Sequence, residues 1–267
     1  MPATRQIAVH IQSYPKTGNT WARFLLGNYF QIINKSSDTI LLEGDREENN
    51  RLREFGLPAF FATHAPLLWE SQTARDLSYK NVVLPYRGDT IILMIRYPLD
   101  AVLSHYMQHH FGRGHETRHK FDSFFEFATD PVFGVEKAIQ YYNIWADALD
   151  RERIFPLKYE QLRIATLETV RSLLSFLGLP CKESALTQAI ERSSFEAMRK
   201  METCGNVPRY RSSGFEIFST GDLNEQNSYF VRQGRFREYR EHLDEREAPY
   251  LETMIHNELS PRYGYHH

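Results

Sequence analysis

The chain has little of several features that define specialised classes of protein. Its 267 residues include two cysteines, Cys181 and Cys204, which cannot form a disulfide framework and indicate a reducing compartment. The net charge of −2 argues against a nucleic-acid-binding protein that relies on a broad basic surface. No apolar run reaches the length of a membrane span or a signal-peptide core. We therefore expect a cytoplasmic protein without nucleic-acid or membrane partners.

The rest of the composition is typical of a globular protein. Apolar residues make up 42% of the chain and charged residues 25%. The length suits one large domain over residues 1–267, and no repeat, low-complexity tract or linker divides it. Short strand-like runs alternate with helical patterns, which predicts an α/β fold with a central parallel β-sheet flanked by helices.

The periodicity of apolar residues predicts the individual elements. The predicted strands are 7–11, 59–63, 90–95 and 154–157, and the predicted helices are 21–30, 99–110, 135–149, 167–177 and 238–257. Two polar stretches, 34–57 and 203–227, are predicted to be irregular lids or binding loops.

Each predicted strand leads into a residue with chemical capability. These residues are Lys16, His64, Arg96 and Tyr159. A polar residue after one strand is ordinary, because loops are polar. Since ligands of open α/β sheets bind outside the carboxyl ends of the strands, four such residues together indicate a single site.

Residues 14–21 read Tyr-Pro-Lys-Thr-Gly-Asn-Thr-Trp and join the first strand to the first helix. Backbone N–H groups and the helix dipole favour an anion at such a turn. Lys16 adds a positive charge, and Thr17, Asn19 and Thr20 add donors. The Walker spacing is absent because Lys16 precedes the glycine, so the loop predicts phosphate binding of another kind.

This loop resembles the 5′-phosphosulfate loop of soluble sulfotransferases that use 3′-phosphoadenosine 5′-phosphosulfate (PAPS). Its Thr-Gly-Asn-Thr-Trp form is similar to that of bacterial enzymes that modify natural products. Arg96, followed eight positions later by Ser104, matches the pair that holds the 3′-phosphate in this family, where the serine also contacts the loop lysine. The resemblance implies the P-loop-like sulfotransferase fold.

Three later segments also resemble the family. Tyr159 with Glu160 is similar to a step whose tyrosine contacts adenine, and Phe195 corresponds to the ring that stacks on the base, with Trp21 on its other face. Residues 230–234 resemble an Arg-Lys-Gly motif that closes over the 3′-phosphate, although Gln233 replaces the lysine. The cofactor-binding residues that the resemblance implies are Lys16, Thr17, Gly18, Asn19, Thr20, Trp21, Arg96, Ser104, Tyr159, Ser193, Phe195, Met198, Arg232, Gln233 and Gly234.

The resemblance implies transfer of the sulfuryl group from PAPS to a hydroxyl of a small-molecule or natural-product acceptor, leaving 3′-phosphoadenosine 5′-phosphate (PAP). His64 corresponds to the general base, since an imidazole with a pKa of about 6.5 can accept a hydroxyl proton near neutral pH. Lys16 would stabilise the leaving phosphate and Ser104 completes the catalytic set, with no metal required. Ala62 stands where many animal enzymes have lysine, so acceptor preference is not carried over.

Two other functions would use parts of the same pattern. A P-loop-type kinase of related topology would use ATP and magnesium, but the Walker spacing and an obvious magnesium-binding carboxylate are absent. A nucleotide- or polyanion-binding module without catalysis would have no need of His64 beside Lys16.

A run of histidines between His105 and His119 includes pairs spaced i,i+4, which suits zinc. No Cys, Asp or Glu completes a familiar set, so we expect this stretch to form a wall of the acceptor pocket instead. The family's dimer signature is missing from residues 240–247, and the oligomeric state stays open.

Overall fold

The computed structural model describes residues 8–64, 69–111, 121–209, 229, 231, 232 and 234–266. Four parallel strands form one sheet in the order β2-β1-β3-β4. The strands are β1 (Val9–Ser13), β2 (Phe60–Thr63), β3 (Thr90–Ile95) and β4 (Arg153–Lys158). The predicted α/β class with a central parallel sheet is confirmed.

Helices surround the sheet. They are α1 (Asn19–Ile33), α2 (Arg46–Glu54), α3 (Tyr79–Val82), α4 (Pro98–Phe111), α5 (Phe124–Thr129), α6 (Val135–Ala146), α7 (Tyr159–Ile164), α8 (Thr166–Leu177), α9 (Glu183–Arg192), α10 (Phe195–Thr203) and α11 (Glu247–Glu258). Among the described residues, no helix combines the length and apolar character that crossing a membrane requires.

The central strand β3 is covered by side chains on both faces of the sheet. All six of its residues are buried. Ile91 and Leu93 pack into a core layer with α4, α5, α6 and α11, whereas Ile92 and Met94 pack into a layer with α1, α8 and α9. Such a strand reads as a continuous apolar run. With both faces covered, a ligand approaches this sheet at the carboxyl ends of its strands.

The predicted helix 238–257 is wrong. Residues Glu238–Glu241 form a 3₁₀ turn, and α11 begins at Glu247. Asp244 separates the two, because its Oδ1 atom accepts hydrogen bonds from the backbone N–H groups of Arg246 and Glu247 at 2.7 and 2.8 Å. The sequence pattern missed this local cap, which starts a new helix inside an apparently continuous repeat.

The irregular stretch predicted at 34–57 contains helix α2, so that prediction is also partly wrong. Asp45 caps the helix by accepting from the Glu48 N–H group at 2.9 Å. The buried Glu48 carboxylate in turn accepts from the N–H groups of residues 41–43. These contacts anchor the segment without the apolar periodicity on which the prediction depended. Most of the other stretch, 203–227, lies outside the described residues.

Tyr142 of α6 fixes the point where β3 ends. Its buried hydroxyl accepts from the Arg96 backbone N–H at 3.2 Å and donates to the Arg96 carbonyl at 3.1 Å. One side chain therefore satisfies both backbone groups of the residue that leaves the sheet, where strand pairing has stopped.

We predict that Tyr142→Phe lowers the free energy of unfolding by about 1–3 kcal/mol, because it leaves buried backbone groups of Arg96 unsatisfied. Urea unfolding followed by circular dichroism measures the change. Tyr250→Phe, at an exposed position of α11, is the matched control. Equal stability of the two variants would contradict this role of Tyr142.

Candidate active site

A cavity of about 410 Å³ lies at the carboxyl ends of the strands. Each strand contributes a residue that follows it: Lys16 after β1, His64 after β2, Arg96 after β3 and Tyr159 at the end of β4. The structure therefore places on one wall the four residues that the sequence pattern singled out.

Most of the other predicted site residues also line this cavity. Those in its lining are Gly18, Asn19, Thr20, Trp21, Ser104, Phe195, Met198, Arg232 and Gly234. Thr17 and Ser193 are buried behind the wall, and Gln233 lies outside the described residues.

The loop after β1 has an unusual backbone path. Lys16 and Gly18 both adopt positive φ, at 65° and 99°, a conformation that is uncommon for a residue other than glycine. Thr17 stabilises the turn by donating from its hydroxyl to the Tyr14 carbonyl at 3.0 Å. A Cβ atom on Gly18 would lie 2.7 Å from the Tyr159 ring, so the loop packs closely against that ring. No described side chain caps the first turn of α1, which leaves its N–H groups available to an anion.

Arg96 lies directly beneath this loop. Its Nη1 atom donates to the Lys16 carbonyl at 3.2 Å, and the guanidinium carbon lies 4.4 Å from the centre of the Tyr159 ring. The Nε atom is buried and has no hydrogen-bond partner in the described part of the chain. The guanidinium is thus held in place while part of its donor capacity is unused.

The surroundings of Lys16 strongly shift the pKa of its amine. Burial, together with the neighbouring charges of Arg96 and Arg232, lowers its pKa to about 7. Like charges held near one another disfavour the protonated amine, and an anion between them would reverse that effect. The cavity is consequently suited to a group with more than one negative charge.

His64 is oriented by the same loop. Its Nδ1 atom lies 3.1 Å from the Ser13 carbonyl and 2.9 Å from the Ser13 hydroxyl, and that hydroxyl accepts from Asn19 at 2.9 Å. Because a carbonyl oxygen can only accept, Nδ1 carries the proton and Nε2 has the free lone pair.

The charge state of His64 follows from its surroundings. Burial lowers its pKa; the contact with Ser13 opposes this shift, and the charges of Lys16 and Arg23 add to it. The His64 side chain lies in the wall of the cavity and keeps access to solvent there, so it is not buried in the core. The imidazole is therefore a neutral base at neutral pH.

Aromatic groups form the other end of the cavity. The Trp21 indole N–H donates to the Ser193 carbonyl at 2.8 Å, and the Ser193 hydroxyl accepts from Asn28 at 2.9 Å. The Trp21 and Tyr159 rings meet edge to face with centroids 5.8 Å apart. Phe195 begins α10 and lines the same region. This arrangement suits a flat heteroaromatic ring.

The segment containing Arg232 closes one side of the cavity. Arg232 forms an ion pair with Glu238, whose side chain is buried. Glu202 accepts from the backbone N–H of Val231 at 3.0 Å, which ties the segment to α10. Arg232 thereby faces the cavity from a position fixed on two sides.

His105 lines the cavity, as expected for the histidine-rich stretch to which it belongs. Other lining residues were not singled out from the sequence, and these are Pro15, Glu70, Gln108, Arg163, Val231 and Glu238. Helical spacing could have identified two of them, because Gln108 and Arg163 lie four residues after Ser104 and Tyr159 and so share their helix faces.

The histidine-rich stretch divides between the cavity and the core. His105 lines the cavity, whereas the buried His109 packs among the rings of Phe121, Phe127 and Phe133. His115 and His119 lie outside the described residues. Within the described ranges there is no cluster of three or more His, Cys, Asp or Glu side chains arranged to hold a metal ion. Ala62 packs against the core layer beneath α1.

Comparison with known proteins identifies relatives over most of the chain. Residues 6–261 match the model of the family described as sulfotransferase domain. The chain is 22% identical over 249 residues to sulfotransferase 1A1 of Bos taurus, covering 84% of this chain and 74% of the relative. It is 22% identical over 255 residues to sulfotransferase 6B1 of Danio rerio, covering 93% and 77%.

Solved structures of similar fold include mouse sulfotransferase SULT7A1 complexed with PAP. The TM-score is 0.62 at 16% identity, over 96% of this chain and 85% of that one. Retinol dehydratase in complex with androsterone and inactive cofactor PAP gives a TM-score of 0.61 at 18% identity, over 96% and 81%. At these identities the likeness concerns the fold.

Proposed function

The chain belongs to the sulfotransferase family, and from that premise we propose that it transfers the sulfuryl group of PAPS to a hydroxyl of a small-molecule or natural-product acceptor, with release of PAP. The observation that carries this proposal is the convergence of Lys16, Arg96 and His64 on one cavity, beside the uncapped first turn of α1. A cationic, donor-rich loop next to a neutral imidazole suits transfer of an anionic group to a hydroxyl.

The residues present fit a nucleotide with two phosphate-type groups. The buried Nε atom of Arg96 has no hydrogen-bond partner among the described residues, so it can donate to an oxygen of a ligand. Gly18 and Gly234 both adopt positive φ and both approach Tyr159, so the backbone comes close to whatever lies over that ring. The loop with Thr17, Asn19 and Thr20 would hold the 5′ side of the nucleotide, and Arg96, Ser104 and Arg232 its 3′-phosphate.

The base would lie at the aromatic end of the cavity. Trp21 and Phe195 supply the stacking faces, with Met198 and Tyr159 around them. Ser193 acts from behind the wall, because its carbonyl fixes the Trp21 indole. Stacking on aromatic side chains is worth about 1–3 kcal/mol per base in nucleic-acid complexes. Stacking at this end of the cavity would therefore contribute substantially to the affinity for the nucleotide.

When bound, PAPS supplies the sulfuryl group and a phosphate that can leave. His64 accepts the proton of the acceptor hydroxyl at Nε2, since Nδ1–H is engaged by Ser13. Lys16 donates hydrogen bonds to the negative charge that develops beside the loop, and Ser104 adds a hydroxyl from α4. Ser104 lines the cavity, where its hydroxyl is accessible to a ligand.

The proposal is tested by incubating the protein with PAPS and a panel of phenols, alkyl alcohols and sugars, with sulfated products and PAP quantified by mass spectrometry. His64→Asn should lower kcat by about 10²–10⁴-fold, because the general base is lost, while PAP affinity is retained. Since the pKa of His64 is lowered, the wild-type rate should fall only as the pH drops below about 6.5.

His256→Asn, at an exposed position of α11, is the control for this experiment. Undiminished transfer by His64→Asn would contradict the assignment of the base. Absence of transfer to every acceptor, together with no binding of PAP, would contradict the function itself.

Proton uptake on PAP binding tests the role of Lys16. Its pKa is about 7 in the free protein, and a neighbouring phosphate raises the pKa of an amine. Above pH 7, PAP binding should therefore be accompanied by uptake of a proton. The affinity for PAP should be highest below pH 7 and should fall as the pH rises from the Lys16 pKa of the free protein toward the Lys16 pKa of the complex.

Calorimetry in buffers of different ionisation enthalpy measures the uptake directly. Lys16→Met should abolish it, whereas Lys80→Met, at an exposed position of α3, should leave it unchanged. Uptake that persists in Lys16→Met would assign the proton to another group.

A further inference from the structure

Arg163 lines the cavity from helix α7 and was not among the residues predicted from the sequence. It lies four residues after Tyr159, on the same helix face. Its guanidinium carbon is 5.4 Å from the centre of the Phe195 ring. A Cβ atom on Gly234 would lie 3.3 Å from Arg163 Nε and 3.3 Å from the Tyr159 hydroxyl, so the three residues meet at one corner of the cavity.

The charge of Arg163 is not matched by the described protein. Arg171, Arg232, Arg235, Arg240 and Arg262 each form an ion pair with a carboxylate. Within the described ranges, Arg163 makes no hydrogen bond and no ion pair, and its contact is with the face of Phe195. The half-buried guanidinium at the cavity wall therefore has donors and a charge that an anionic ligand can use.

The unmatched charge favours a phosphate as the ligand group over the purine ring. A ring edge is neutral and leaves the charge uncompensated, whereas a phosphate matches both the charge and the forked donors of arginine. Lys16 and the loop beside His64 serve the end of the cavity where transfer takes place. Arg163 lies instead against Gly234 and Phe195, next to the segment that contains Arg232.

We propose that Arg163 binds the 3′-phosphate of the nucleotide and makes the site selective for 3′-phosphorylated adenosine nucleotides. This inference rests on the proposed function.

The test compares PAP with adenosine 5′-phosphate, which lacks the 3′-phosphate, by calorimetry or by displacement of a fluorescent nucleotide. Arg163→Gln should weaken PAP binding by about ten-fold or more, as expected for loss of a charge-assisted contact, and change adenosine 5′-phosphate binding by less than about two-fold. The PAP affinity of Arg163→Lys should lie between those of the wild type and Arg163→Gln, because lysine keeps the positive charge but lacks the forked donors of arginine. Arg192→Gln, at an exposed position of α9, should behave as wild type.

The outcomes separate the inference from the function on which it rests. If Arg163→Gln weakens the binding of both nucleotides equally, the residue supports the pocket or contacts the base. If PAP binding is unchanged, the residue has no role in it. Either result overturns the inference, while PAP binding by the wild type upholds the function. A wild-type protein that does not bind PAP would overturn both. Unchanged thermal unfolding of Arg163→Gln and Arg163→Lys confirms that the comparison concerns binding.

Discussion

The repulsion among cationic groups gathered at one end of the sheet is the constraint on which the site depends. Burial lowers the Lys16 pKa, and the nearby charges of Arg96 and Arg232 add to that effect and bring it to about 7. Such an arrangement persists because rigid elements hold it: Tyr142 engages both backbone groups of Arg96, and two core layers cover the sheet. The cationic groups of the proposed nucleotide site are thus assembled in the protein itself, and such preorganisation favours tight binding of an anion.

The same loop also orients His64, the proposed base. Ser13 ends β1, Asn19 begins α1, and both contribute to the hydrogen bonds that fix His64. A change in the loop path would therefore move the phosphate donors and the imidazole together. The proposed nucleotide binding and the orientation of His64 thus depend on one structural unit, the loop in which Lys16 adopts a positive φ.

The sequence predicted what depends on apolar patterns and motif spacing, and it missed what depends on individual side-chain contacts. The apolar run of β3 gave its position, and Gly178 ends α8 in the left-handed conformation, as glycine is expected to do. Helix α2 escaped prediction because Glu48 anchors it through backbone N–H groups of the segment just before the helix, and this polar contact leaves no apolar periodicity in the sequence. Within the site, motif spacing brought out Lys16 and Arg96. Arg163 carries no motif, and its position becomes clear only when α7 packs beside Gly234.

The most direct measurement is calorimetric binding of PAP, compared with ATP plus magnesium, to the wild-type protein and to Arg96→Ala. The account predicts that PAP binds more tightly than ATP with magnesium and that Arg96→Ala loses about 10–100-fold of the PAP affinity, as expected for a charge-assisted contact worth about 1.5–3 kcal/mol. Preference for ATP with magnesium, or PAP binding that does not depend on Arg96, would contradict the account and favour a kinase.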